Sequence, residues 1–292
     1  MSKRKQDARA EARAILAARK QAEERRKRLL WAGSAVGAVI LIVGILVAIK
    51  LSGGSPAPAP VSALADSTVV SEVTGVPAAT LNTIGQGKGL VSTPDVETGK
   101  PVLKADGKPL VLYMGAEFCP YCAAERWAIV EALSRFGTFK DLGETFSASK
   151  DADPNTPTLT FHGAGYTSDY ITFQSVEMYT NQPSGSFYSV LEKPTSAQSA
   201  LINEYTKGSF PFVDFGDQAV AQTMIDPTPF AGKNQADIAG ILADPTNAIA
   251  LAEGGAANAY TTIICNLTGG QPTAVCSSPA AQAYQSKYGA KT

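Results

Sequence analysis

Leu110-Val111-Leu112-Tyr113-Met114-Gly115-Ala116-Glu117-Phe118-Cys119-Pro120-Tyr121-Cys122-Ala123-Ala124-Glu125-Arg126-Trp127 decides the reading of this chain. The apolar run Leu110 to Gly115 has the length and composition of a buried strand. Beyond it, Ala123, Ala124, Trp127, Val130, Leu133 and Ser134 recur at helical spacing between Cys122 and Phe136, and Gly137 supplies a stop. The two cysteines therefore sit where a strand runs into a helix. That junction places the Cys119 sulfur among unpaired backbone N–H groups at the positive end of the helix dipole, which stabilises a thiolate. Pro120 suits the first helical position, where its missing N–H costs nothing. Cys122 lies one turn on along the same face, close enough to close a disulfide.

This is the arrangement thiol–disulfide exchange requires: a thiolate to attack, and a second thiol to release the mixed disulfide. Cys119 is expected to be the exposed nucleophile and Cys122 the resolving thiol. An inert structural disulfide and a zinc site are the competing readings. Zinc is disfavoured because the other pair, Cys265 and Cys276, encloses ten residues and no histidine sits near Cys119.

All four cysteines follow an apolar, uncharged stretch of 21 residues, Leu29 to Ile49, long enough to span a bilayer as a helix. A cleaved signal peptide is the alternative, since Ala63-Leu64-Ala65 resembles a cleavage site, but it lies too far beyond the run. Residues 1–28 hold 11 Lys or Arg against 4 Asp or Glu, a charge of +7, and the chain's net charge of −1 leaves −8 for the rest. A basic tail before the span puts the N-terminus in the cytoplasm and the main domain outside the cell membrane. The tail should be helical and lie near anionic lipids, and the acidic body argues against nucleic-acid binding. An even cysteine count outside the membrane predicts two disulfides among three connectivities, and proximity in sequence favours Cys119–Cys122 with Cys265–Cys276. The second pair, around Gly269, Gly270 and Pro272, reads as a structural staple.

The expected organisation is a cytoplasmic tail (1–28), a transmembrane helix (29–49), a Gly/Ser/Pro/Ala linker (50–66) and an extracytoplasmic α/β domain (67–292). Within the domain, Ser67 to Leu81 fits a short helix or strand. Thr158 to His162 and Tyr170 to Tyr179 alternate as strands, and Phe210 to Phe215 is a buried strand entered through proline. Gln235 to Ala243 and Asn247 to Ile264 look helical. Gly85-Gln86-Gly87-Lys88-Gly89 resembles a phosphate loop only superficially, because no apolar strand precedes it and the Gly-Lys-Ser/Thr ending is missing. His162 is the one histidine, which excludes multi-histidine metal centres within the chain, and no nucleophile-elbow motif accompanies it.

The stretch from Leu112 to Trp127 resembles the thioredoxin superfamily. More closely, it looks like the membrane-anchored actinobacterial and archaeal proteins catalogued as domain of unknown function 929. Phe161-His162-Gly163, Tyr166-Thr167-Ser168, Pro211-Phe212-Val213-Asp214 and Thr268-Gly269-Gly270-Gln271-Pro272 are similar to that family too, so the resemblance covers roughly Val73 to Cys276. It implies a thioredoxin-like fold, with Pro211 matching the proline, usually cis, that faces the active-site cysteines in the superfamily. Two departures stand out: Phe118 replaces the usual tryptophan, and 88 residues separate Cys122 from Pro211. About Phe146 to Thr206 is read as a β-rich insertion, and the C-terminal part as a helical extension.

Glu117 and Glu125 beside the cysteines are candidates for proton handling, with a solvated or salt-bridged helix start, Arg126 included, as the plainer reading. Asp214, a carboxylate inside an apolar strand, must be paired or shifted upward in pKa and is the other proton-handling candidate. Trp127 should be core and His162 structural or surface. The expected function is thiol–disulfide exchange on envelope or secreted protein thiols, using Cys119, Cys122 and Pro211, with an extracytoplasmic redox partner and no metal or cofactor. The alternative is a non-catalytic binding or assembly subunit of a membrane complex.

Overall fold

The computed structural model describes residues 62–97 and 99–289, so the tail, the expected span and linker residues 50–61 lie outside the described residues. Among the described residues no helix is long and apolar enough to cross a membrane. The described part opens with β1 (Ala63–Leu64) and two short helices, α1 (Ser67–Thr74) and α2 (Ala78–Ile84), where the sequence left helix and strand undecided. Two short strands, β2 (Asp95–Val96) and β3 (Lys104–Ala105), lead into β4 (Lys108–Gly115), the central strand. The long helix α3 (Pro120–Leu133) follows at once.

Next come β5 (Gly137–Lys140), β6 (Gly143–Phe146), β7 (Pro157–Thr160), β8 (Gly165–Ser168) and β9 (Thr172–Glu177). A hairpin of β10 (Tyr179–Ser184) and β11 (Phe187–Val190) precedes helix α4 (Ser196–Thr206), whose start is fixed by a capping box between Thr195 and Gln198. Strands β12 (Phe212–Phe215) and β13 (Ala219–Ala221) return to the sheet. Helices α5 (Gln235–Ile241) and α6 (Ala248–Leu267), then the short turns α7 (Thr273–Cys276), α8 (Pro279–Gln282) and α9 (Gln285–Tyr288), complete the fold.

In the main sheet β4 pairs with β9 in parallel and with β12 antiparallel, and β13 and β2 extend the sheet beyond β12. The parallel pair is the reason a helix must connect the two strands, because a tight turn cannot. Strand alternation then divides the core. Val111, Tyr113, Val213 and Phe215 face α3 and α6, whereas Leu110, Leu112, Met114 and Phe212 pack with Ile202 of α4. With the sheet on one side, α6 on another and β7 against it, α3 is buried from Cys122 to Leu133. Trp127 is core as expected, with its indole N–H donating to the Pro157 carbonyl at 3.1 Å.

The stretch from Phe146 to Thr206 is not one inserted unit. Its strand β9 is a full member of the main sheet beside β4, and α4 covers that sheet's second face. The parts outside the sheet are the β5–β8 ribbon, the β1–β6–β7 sheet and the β10–β11 hairpin. At the C-terminus, α6 runs through Cys265 rather than stopping before it, and Cys265 bonds Cys276 with 5.5 Å between their Cα atoms. The Gly85–Gly89 segment ends α2 and forms a tight turn on α6. A side chain on Gly255 would come within 2.8 Å of Gly87 Cα, so two glycines allow this backbone-to-backbone approach.

Candidate active site

Cys119 caps α3. Its extended backbone (φ −79°, ψ 122°) turns the chain into the helix, and its sulfur accepts the Cys122 N–H at 3.2 Å. Pro120 occupies the first turn as the sequence predicts. The pair is present as two free thiols, not as the second disulfide expected from the cysteine count. Cys119 is only 7% exposed and Cys122 is fully buried, so the first cysteine is far less open than a nucleophile at a bare helix end would be.

The two thiols are pushed in opposite directions. A hydrogen bond from the Cys122 side chain, a second from the Cys122 backbone N–H and the charge of Arg126 hold the Cys119 thiol below its usual range, against the opposing effect of burial. Burial, with the hydrogen bond to Cys119, pushes Cys122 well up. The shared proton thus rests on Cys122, and the negative charge of the singly ionised pair rests on Cys119.

The charge beneath the site comes from Arg126 and Glu177, both wholly buried. Arg126 Nε donates to Glu177 Oε1 at 2.8 Å and Nη2 to Oε2 at 2.7 Å, a two-point pair. Glu177 closes β9, where it also accepts the Phe161 N–H at 3.2 Å. Glu192, which meets His162 at 2.6 Å, accepts the Glu177 backbone N–H at 2.8 Å. Sequence reading placed Arg126 at a helix start and left Glu177 unmarked. The available signal was a charge in the middle of the apolar run of α3. Arg126 Nη1 and the Tyr113 hydroxyl are buried without hydrogen-bond partners among the described residues, and the guanidinium lies over the Tyr113 ring at 5.7 Å from its centre.

The candidate carboxylates separate. Glu117 is 1% exposed rather than solvated. It accepts the Thr160 hydroxyl at 2.9 Å, and its pKa is raised by burial and then by the charge of Glu177. Glu125 points away from the cysteines toward α6. There the Tyr260 hydroxyl and, at 3.3 Å, the Met224 N–H donate to it, and burial pushes it up to about 8. Asp214 is raised to about 7, chiefly by burial, but it is not brought to the cysteines. It pairs in register with Leu112 and Val220, so alternation puts it on the α4 face of the sheet, where it accepts the Asp217 N–H at 3.1 Å. His162 is at the surface as expected.

Pro211 follows a cis peptide bond and is buried at the mouth of β12, one residue before Phe212, which pairs with Met114. The Phe210 ring meets the Phe118 ring edge-on at 5.7 Å, which ties the cis-proline turn to the residue preceding Cys119. Phe118 also stacks on Tyr188 at 4.1 Å and contacts Phe187 at 5.3 Å, so the β10–β11 hairpin walls one side of the cysteines. Among the described residues no group of three His, Cys, Asp or Glu side chains is placed to hold a metal ion.

Residues 99–186 match the model of a family described as a domain of unknown function, DUF929. The match supports that family assignment. It covers β4, Cys119, Cys122, Arg126, Glu177 and the first strand of the hairpin, and it ends before Phe187, Tyr188, Pro211 and the Cys265–Cys276 disulfide. No curated protein and no solved structure matches the chain.

Proposed function

We propose that this chain is a thioredoxin-like, membrane-anchored thiol–disulfide oxidoreductase that acts on envelope or secreted proteins. The observation that carries the reading is the placement of Cys119 as the cap of α3, its sulfur accepting the Cys122 N–H at 3.2 Å, with the two thiols pushed in opposite directions. The fold assignment is supported by the order β9–β4–β12–β13, with β4 and β9 parallel, β12 antiparallel to β4, β13 antiparallel to β12, and the cysteines directly after β4. The membrane anchor rests on the uncharged run from Leu29 to Ile49 and the basic residues before it.

In the reducing direction the Cys119 thiolate attacks one sulfur of a substrate disulfide, forming a Cys119–substrate disulfide and expelling the other substrate sulfur as a thiolate, which takes up a proton from solvent. Cys122 then gives up its proton and attacks Cys119. The Cys119–Cys122 disulfide forms, the second substrate thiol leaves, and two electrons have passed to the substrate. The same steps reversed oxidise a substrate dithiol. A second dithiol or disulfide protein resets the pair. Arg126 lies where its charge favours the Cys119 thiolate, and the turn at Pro211 is joined to the residue before Cys119 through the Phe210–Phe118 ring contact.

The low exposure of Cys119 is the observation that favours a binding subunit without turnover. Trapping separates the two readings. With the full chain expressed, Cys122→Ser should retain attack and lose release, so reducible high-mass adducts accumulate on non-reducing gels, while Cys119→Ser accumulates none. Absence of adducts from Cys122→Ser, together with slow alkylation of Cys119, would leave the binding subunit standing.

A further inference from the structure

We propose that a groove beside the cysteines selects polypeptide segments whose reacting cysteine is flanked by apolar and basic side chains. This substrate class rests on the exchange reading. The groove has a volume of about 390 Å³ and is lined by Leu90, Val91, Tyr121, Met224, Ile225 and Asp226, among others. Tyr121 is the residue between Pro120 and Cys122, so the groove borders the first turn of α3, where the two cysteines sit. Leu90 and Tyr121 are 48% and 40% exposed, and an occupant that covers them removes apolar surface from water. Phe118, next to Cys119, is covered by Phe187 and Tyr188 of the hairpin, and none of these three rings lines the groove.

The one charged side chain in its lining is acidic, with the exposed Lys88 just outside it. Asp226 lines the groove, and the Thr228 hydroxyl lies 2.7 Å from an Asp226 oxygen and 3.2 Å from an Asp153 oxygen, which places the two carboxylates side by side. Asp151 in the same loop as Asp153 is close enough to oppose ionisation of both Cys119 and Tyr121, and Asp153 and Asp226 oppose that of Tyr121. The cation beneath, Arg126, is wholly buried and occupied by Glu177, and Lys150 alone offsets Asp151 and Asp153 within their loop. A Lys or Arg next to a substrate cysteine is drawn to this rim. The same rim repels an acidic neighbour. The substrate's cationic group would also relieve the repulsion that Asp151 exerts on the Cys119 thiolate.

The test uses the reduced full chain and two synthetic peptides whose single cysteine is a mixed disulfide with thionitrobenzoate. Leu and Arg flank the cysteine in one, Leu and Glu in the other. Attack by Cys119 transfers the peptide sulfur and releases coloured thionitrobenzoate, and Cys122 then frees the peptide thiol. The Arg peptide should react roughly 10-fold faster or more at low ionic strength, with the advantage shrinking in high salt. Asp153→Asn with Asp226→Asn should bring the two rates together, with unchanged melting showing that the fold is retained. Equal rates in the unaltered chain, or a preference for Glu, would overturn the substrate class while leaving exchange intact. No release from either peptide would remove the exchange reading and this inference with it.

Discussion

Arg126 and Glu177 form a two-point ion pair with no exposed side-chain surface, one turn along α3 from Cys122. Removing one member of such a pair strands a charge out of water, at a cost of about 3–5 kcal/mol. Arg126→Met should therefore destabilise the protein by that order. Arg126→Met with Glu177→Gln should recover most of the loss, because glutamine is neutral and still accepts from Phe161. In that folded double variant the Cys119 thiol should titrate at higher pH, read from alkylation rate against pH. An unchanged titration would confine the ion pair to structure.

Cys119 should alkylate with a midpoint below the ordinary thiol range, since its largest lowering influence is the hydrogen bond from the Cys122 thiol. Cys122→Ala removes that donor and should move the midpoint up. Cys122→Ser keeps a hydroxyl donor and should move it less. The sign for stability follows: a depressed folded-state pKa favours folding above the unfolded value and loses that contribution as pH falls through the folded one. A midpoint indifferent to Cys122→Ala would mean that the helix terminus and Arg126 set the thiolate without the Cys122 thiol.

Glu131 on α3 is 3% exposed, has no hydrogen-bond partner among the described residues, and is raised to about 8, chiefly by burial. Its folded-state pKa lies above the unfolded value. The unfolded chain releases the proton first, and stability falls as pH rises from the unfolded value toward about 8. The slope is about 1.4 kcal/mol per pH unit. Glu131→Gln mimics the neutral acid, so the variant should match the parent in denaturant melts near pH 4 and exceed it at pH 8. Parallel stability curves would show that Glu131 is already ionised in the fold.

Gly255→Ala should destabilise the chain by roughly 1–3 kcal/mol, as overpacking of a close contact does. The new methyl would meet Gly87 backbone at 2.8 and 3.1 Å, where neither side can move without shifting the turn. That turn leads directly into Gly89 to Ser92 on the groove wall. Thermal melting measures the loss, and a neutral result would mean the turn re-seats freely.

Much of the site was legible because its determinants are local. Strand, cysteine, proline and helix lie within about 25 residues, and each states its preference through composition, fixed φ or helical spacing. Cys119 as the helix cap, Trp127 in the core and proline at the entry to β12 follow from such rules. The Cys265–Cys276 link was legible for the same reason, since a short loop leaves the partners close.

Tertiary structure decided the rest, because burial and charge depend on elements remote in sequence. Nothing local marks Glu177 as the partner of Arg126, 51 residues away, until β9 is laid parallel to β4. Asp214 looked like a neighbour of the cysteines because it follows Pro211 closely, yet strand alternation and register place it on the opposite face of the sheet. Glu117 and Glu125 read as a solvated helix start, and β7 and α6 bury them. The sequence by itself determined that two cysteines share the start of one helix. Packing of the hairpin and the buried ion pair around them determined how far each sulfur is withdrawn from water and which thiol is pulled down and which pushed up, since desolvation and Coulomb forces act through space, not along the chain.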